Sequence, residues 1–166
     1  MDALQTPPLT MCVSKATLAA SGAATTFSTT GATLYCIKGK AYTTSAAAGA
    51  ATPTSDAAAG TTFASKPLAA NTGTVFVWCY DGSSTTAATA IKVVQGAVES
   101  LDVSGNFLKA PDFSNIPDTL CPFAYTVVKN GSTGSNWTFG TSNWNATGIT
   151  LAHQDLVSLP GRPQVS

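Results

Sequence analysis

The seven residues Thr74 to Tyr80, TVFVWCY, are almost wholly β-branched or aromatic, the side chains that pack best on a pleated strand. Alternation puts Val75, Val77 and Cys79 on one face and Phe76, Trp78 and Tyr80 on the other. Both faces are apolar, so the strand belongs in the middle of a sheet with chain packed over each side. A one-sided sheet would leave one of these rows in water.

The remaining strand signals are arranged around this centre. Met11 to Leu18 reads as a short strand, and Ala32 to Thr43 as a better one through Leu34, Tyr35, Cys36 and Ile37. Asp81-Gly82 turns the chain, and Ala90 to Val94 resumes as strand. Val98 to Val103 and Asn106 to Lys109 predict a hairpin across Ser104-Gly105, with Leu101 and Val103 facing inward. Phe123, Tyr125 and Val127 alternate onto one face, and Asn130-Gly131 is a hairpin signal leading toward Trp137 and Phe139. Ile149 to Leu159 is a last strand.

Between these runs, Ser45 to Gly60 is Ala/Gly/Thr-rich with no side chain large enough to anchor a core, which predicts a surface loop. Pro111 to Pro122 predicts an irregular crossover. Short strands separated by turn signals, with little room for helix, give an all-β single domain, a β-sandwich or barrel. Its body runs from 11 to 158. Residues 1–10, with Pro7 and Pro8, form an extended N-terminal arm, and residues 159–166 form a proline-spaced C-terminal tail with Arg162 as its charge.

The length of 166 residues suffices for one core without staples. Only 10% of the chain is charged, with eight basic and eight acidic side chains and no net charge, against about 25% in ordinary soluble domains. The basic residues are scattered singly, which excludes the clustered face that nucleic acid or an anionic membrane requires. No apolar run is long enough to span a bilayer. The first residues, with Asp2 and the Pro7-Pro8 pair, do not read as an export signal, so the expected site of synthesis is the cytoplasm.

Cys12, Cys36, Cys79 and Cys121 include no Cys-x-x-Cys spacing, so neither a zinc site nor a redox motif is signalled. Free, partly buried thiols are the expectation, with one or two disulfides as the alternative. Cys36 and Cys79, each inside an apolar run, are the expected neighbours.

Chemistry-bearing residues are few. The single histidine, His153, stands two residues before Asp155, with no GxSxG element to supply a nucleophile. Its expected role is that of a solvent-exposed residue on a sheet. Glu99 is the lone glutamate, and Asp102 falls on the opposite face of the same strand, which gives no carboxylate pair across a cleft. No metal, phosphate-binding or dinucleotide pattern occurs, so the chain is expected to be non-enzymatic and without cofactor.

Trp137, Phe139 and Trp144, flanked by Asn136, Asn143 and Asn145, could form a stacking surface for sugars, or could fill the core, the reading that their position on a sheet favours. Sequons begin at Asn130, Asn136 and Asn145, as chance places them in a Ser/Thr-rich chain.

Three segments, GTVFVWCYDG (73–82), AVESLDVSGNFLKAPDFSNIPDTLCPFAY (97–125) and FGTSNWNATGITLAHQDLVSLPGRPQ (139–164), resemble virion structural proteins of tailed bacteriophages. The likeness is in particular to the small β-rich proteins that decorate, or cement, capsids, and it covers roughly the C-terminal two-thirds. The resemblance implies a protein on the capsid exterior that binds the major capsid protein and stabilises the head shell, commonly as a homotrimer. Pro7, Pro8, Trp137, Trp144 and Arg162 are then the expected partner contacts. A tail or fibre component touching the host surface and a secreted carbohydrate-binding or adhesin module are the alternatives.

Overall fold

The computed structural model describes residues 9–20, 22, 25–161 and 163. In chain order the strands are β1 (Met11–Cys12), β2 (Leu18–Ala19), β3 (Thr26–Thr29), β4 (Thr33–Ile37), β5 (Lys40–Thr44) and β6 (Ala50–Ala51). They continue with β7 (Thr72–Tyr80), β8 (Ile91–Gln95), β9 (Glu99–Ser100), β10 (Cys121–Asn130) and β11 (Ile149–Asp155). A one-turn helix, α1 (Ala87–Ala90), and a 3₁₀ turn at Phe63–Ser65 interrupt them. The fold is all-β.

The strand Thr72–Tyr80 is the centre that its sequence requires. It pairs antiparallel with β10 on one side and with β8 and β9 on the other, in an open five-stranded sheet ordered β11-β10-β7-β8 that does not close into a barrel. Phe76, Trp78 and Tyr80 enter one core, while Val75, Val77 and Cys79 enter a second on the opposite face.

Two small antiparallel sheets, β1-β4-β5 and β2-β3-β6, help to build the first core. The second core is covered without another sheet. Phe107 and, from the irregular crossover, Phe113, Ile116 and Leu120 lie over it, with Leu156 and Leu159 from beyond β11.

Several elements depart from the sequence reading, each for a local reason. Ala32 to Thr43 is a hairpin, because Lys38 and Gly39 both take positive φ, 51° and 78°, the mirror-image turn that joins two twisted strands. Ile37 pairs with Lys40 across it. Met11 to Leu18 breaks into β1 and β2 around Thr17, at φ 50°. The Ser45 to Gly60 loop contributes the short β6 and buries Ala47 and Asp56.

Asn130-Gly131 does not make a tight hairpin. Residues 131–148 leave the sheet before β11 returns, with Asn130 paired to Ile149. Val103 is fully exposed, whereas Leu101 is buried. Asp102 accepts the backbone N–H groups of Ser104 and Asn106 and folds a tight turn there, pointing Val103 away from the body.

Phe123 escapes the alternation expected of it. The register of β10 against β7 skips from Pro122 opposite Cys79 to Ala124 opposite Trp78, a bulge at Phe123. Phe123 therefore joins Ala124 in the first core, while Tyr125 and Val127 face the second. Regular strand ends at Asp155. The beginning of the C-terminal tail lies on the body, with Leu159 against the second core and Pro163 buried.

Candidate functional site

The aromatic residues around Trp137 build the first core. Trp137 and Trp144 are 1% and 2% exposed. The 131–148 excursion folds inward, stacking Phe139 on Phe76 at 4.1 Å and setting Trp144 5.7 Å from Trp137. Each indole N–H is satisfied internally, Trp137 by the Asn143 carbonyl at 2.9 Å and Trp144 by the Thr26 carbonyl at 3.0 Å. Neither tryptophan offers a ring face to a ligand; of the two readings open in the sequence, the favoured one, core filling, is what the structure has. Pro7, Pro8 and Arg162 lie outside the described residues. The sequon asparagine Asn130 is buried too, whereas Asn136 and Asn145 are exposed.

His153 is half-buried and held at both ring nitrogens, which corrects the solvent-exposed reading. The Trp78 indole donates to the Thr126 hydroxyl at 2.9 Å, and that hydroxyl lies 2.8 Å from His153 Nδ1. Nε2 lies 2.8 Å from the Ala20 carbonyl. A carbonyl only accepts, so Nε2 carries the proton, and the neutral ring accepts the Thr126 hydroxyl proton at Nδ1. Burial lowers the His153 pKa, against the opposing pull of the Ala20 carbonyl and Asp155. Asp155 itself accepts the Leu18 N–H at 3.0 Å. The histidine is a cross-strand tie whose two nitrogens are both occupied.

The acids are similarly engaged. Glu99 pairs with Lys109 at 3.0 Å, and Asp102 holds its own turn. A cleft of about 680 Å³ lies beside Asp56, Asp81, Thr89, Ile91, Lys92 and Leu120. Burial pushes Asp81 upward, but hydrogen bonds from Ser83 and the charge of Lys92 outweigh it and hold the carboxyl below its ordinary range. Asp56 Oδ1 accepts the N–H groups of Ala58 and Ala59. The cleft is lined by no histidine or cysteine that could serve as base or nucleophile.

All four cysteines are free thiols. Cys36 and Cys79 are not neighbours. Cys36 points away from the first core, off the outer face of β4, and Cys79 lies in the second core. The pair that the fold brings together is Cys12 and Cys121, with Sγ atoms 3.7 Å apart. Among the described residues no group of His, Cys, Asp or Glu is placed to hold a metal, and no helix is long and apolar enough to cross a membrane.

The feature that the sequence reading missed is the outer face of the β1-β4-β5 sheet. Cys12 opposite Tyr35 points into the first core, so the neighbouring pairs must point out. These are Met11 opposite Cys36 and, one step on, Val13, whose N–H bonds to the Leu34 carbonyl. On β5 the same row continues through Thr43 opposite Leu34 and Ala41 opposite Cys36. Met11, Val13, Leu34, Cys36, Ala41 and Thr43, which make up these rows, are all uncharged. Val13 and Leu34 are 54% and 41% exposed, and exposed Leu9 and Val157 border them through backbone bonds to Gly39 and Cys12.

Comparison with known proteins finds no family model that matches the chain, and no matching curated protein or solved structure.

Proposed function

We propose that this chain is a non-enzymatic structural protein of a tailed-phage virion, a decoration protein that seats on the major capsid protein at the outside of the head and braces the shell. The observation that carries the reading is the uncharged outer face of the β1-β4-β5 sheet. Its Val13 and Leu34 are exposed, and the exposed Leu9 and Val157 are joined to the sheet by backbone bonds at its edges. Exposed apolar groups collected on one side mark an interaction surface, whereas single ones scattered over a surface do not.

The rest of the molecule supports the same reading. His153, Asp56, Asp81, Glu99, Asp102 and Asp155 are tied into turns, ion pairs and cross-strand bonds, and the tryptophans are in the core. A glycan-binding module, on the body or at a fibre tip, needs exposed ring faces, and Trp137 and Trp144 present none. Repeated display on a lattice would turn modest contacts at this face, together with residues 1–8 and the tail around Arg162, into stable attachment. A homotrimer bridging capsomers is the assembly that this role implies.

The experiment is reconstitution. Purified protein is added to capsids that lack it, and occupancy is read by sedimentation. Val13→Asp and Leu34→Asp should leave the melting temperature within a few degrees of wild type and cut occupancy sharply. Full occupancy by both variants would defeat this reading, as would a virion copy number far below that of the major capsid protein.

A further inference from the structure

We propose that Cys12 and Cys121 are an oxidisable dithiol whose disulfide locks β1 onto the central sheet. The two Sγ atoms are already in contact at 3.7 Å, and both residues are fully buried. Bond formation requires an approach to about 2.05 Å, the ordinary S–S length. The other two cysteines stand apart from this pair, on the outer face of β4 and in the second core.

The placement gives the bond a mechanical consequence. β1 is only two residues long and is held to β4 by a brief ladder, with a single backbone bond from Cys12 to Val157 on its other side. Cys121 begins β10, the long neighbour of the central strand. A disulfide would join the least anchored strand of the small sheet to the best anchored part of the fold. It would close a loop of over a hundred residues, the arrangement in which a cross-link constrains the unfolded chain most.

The thiols are inequivalent. Either thiol can donate across the 3.7 Å contact, and that contact, with burial, raises the Cys12 pKa. Cys121 is lowered, first by that same bond and also by the Cys36 backbone N–H, against burial. When local opening of β1 admits a peroxide, Cys121 keeps the Cys36 backbone N–H as a donor to its sulfur and is the thiol placed to act as nucleophile. Its thiolate attacks the O–O bond, forming a sulfenic acid and releasing hydroxide, which takes up the thiol proton as water. Cys12 then attacks that sulfur, its own proton leaving with the sulfenic oxygen as a second water. In sum two thiols and one hydrogen peroxide give one disulfide and two waters, with sulfur oxidised and peroxide reduced.

The inference rests on the cysteine geometry and not on attachment to a capsid, so each can fail without the other. The reduced full-length protein is treated with hydrogen peroxide, alkylated, digested without reductant and mapped by mass spectrometry. The expected result is a Cys12–Cys121 linked peptide, two remaining thiols of the four, and a melting temperature raised by several degrees and restored by dithiothreitol. Cys36→Ser, at a half-buried position, should form the same link, and Cys12→Ser should yield a dimedone-reactive sulfenic acid at Cys121. Four persistent thiols, a link through Cys36 or Cys79, or conversion of Cys12 and Cys121 to sulfinic acids without a link would each overturn the proposal.

Discussion

Thr126 and His153 face each other across the β10–β11 pair, with the threonine hydroxyl 2.8 Å from the ring Nδ1. β11 is an edge strand with every second residue exposed; beyond its backbone pairing with β10, this contact and the Nε2 bond to Ala20 tie it down through a side chain. Protonation would put a donor at Nδ1 facing a hydroxyl that already accepts from Trp78. The Thr126 proton would then have no acceptor.

The folded-state pKa of His153 lies below its ordinary value of 6.5, chiefly through burial. Between the folded value and 6.5 the unfolded chain binds more protons than the folded one, so stability rises with pH there. The contribution of the neutral ring is complete above about pH 6.5 and is lost as the pH falls toward the folded value. Denaturant midpoints should therefore drop on acidification from pH 7 to pH 5. The gap between wild type and His153→Gln should narrow over the same interval. A gap that stays constant would mean that the histidine does not titrate in this window.

Trp78 shares its face of β7 with Phe76 and Tyr80 and is fully buried beside Phe27, Phe139 and Trp144. Trp78→Ala should cost on the order of 3–5 kcal/mol, the range for truncating large core aromatics. It also removes the donor that orients Thr126. Equilibrium urea unfolding provides the measurement, and a loss below about 1 kcal/mol would contradict the core assignment.

Thr17 is a β-branched residue at φ 50°, with its side chain exposed. That conformation costs an L-residue roughly 1–2 kcal/mol, and asparagine tolerates it better. Thr17→Asn should raise stability by about 0.5–1 kcal/mol without changing the fold. A destabilised variant would show that the threonine methyl or hydroxyl makes a contact worth more than the strain.

The centre of the fold was legible because TVFVWCY has one interpretation: a strand apolar on both faces must be covered twice. Boundaries set by backbone conformation were less legible. Lys38-Gly39 turns the chain as an Asn-Gly pair would, yet Lys at the first turn position gives no signal. The bulge at Phe123 cannot be seen in its alternation, since an inserted residue leaves the hydrophobic pattern intact and changes only which face receives it. The face through Met11, Val13, Leu34 and Cys36 was hidden for a related reason. In a short apolar strand, sequence does not say which row of side chains is covered, and only the Cys12–Tyr35 register decides it.

The 131–148 excursion is closed by a neck of small residues on which the Trp137 and Trp144 positions depend. The Gly131 N–H bonds to the Gly148 carbonyl at 2.8 Å, and the Gly134 N–H to the Gly131 carbonyl at 3.2 Å. Asn130 is buried within the neck and donates through Nδ2 to the Leu68 and Ser135 carbonyls at 2.9 and 2.8 Å. A methyl group on Gly134 would run into the Asn130 carboxamide oxygen. Because that amide is pinned on its nitrogen side, the clash cannot be relieved by a free rotation. Gly134→Ala should therefore cost about 1–3 kcal/mol, as overpacking of a closed site does. It should also alter the near-ultraviolet dichroism, because Leu68 pairs with Trp137 on the far side of the same neck. Gly105→Ala, at an exposed turn where an added methyl meets nothing but φ is +79°, is the comparison for backbone strain alone. It should leave the aromatic spectrum unchanged. If Gly134→Ala keeps both wild-type stability and the wild-type spectrum, the neck can open without disturbing the tryptophans, and their burial must be held by the core alone.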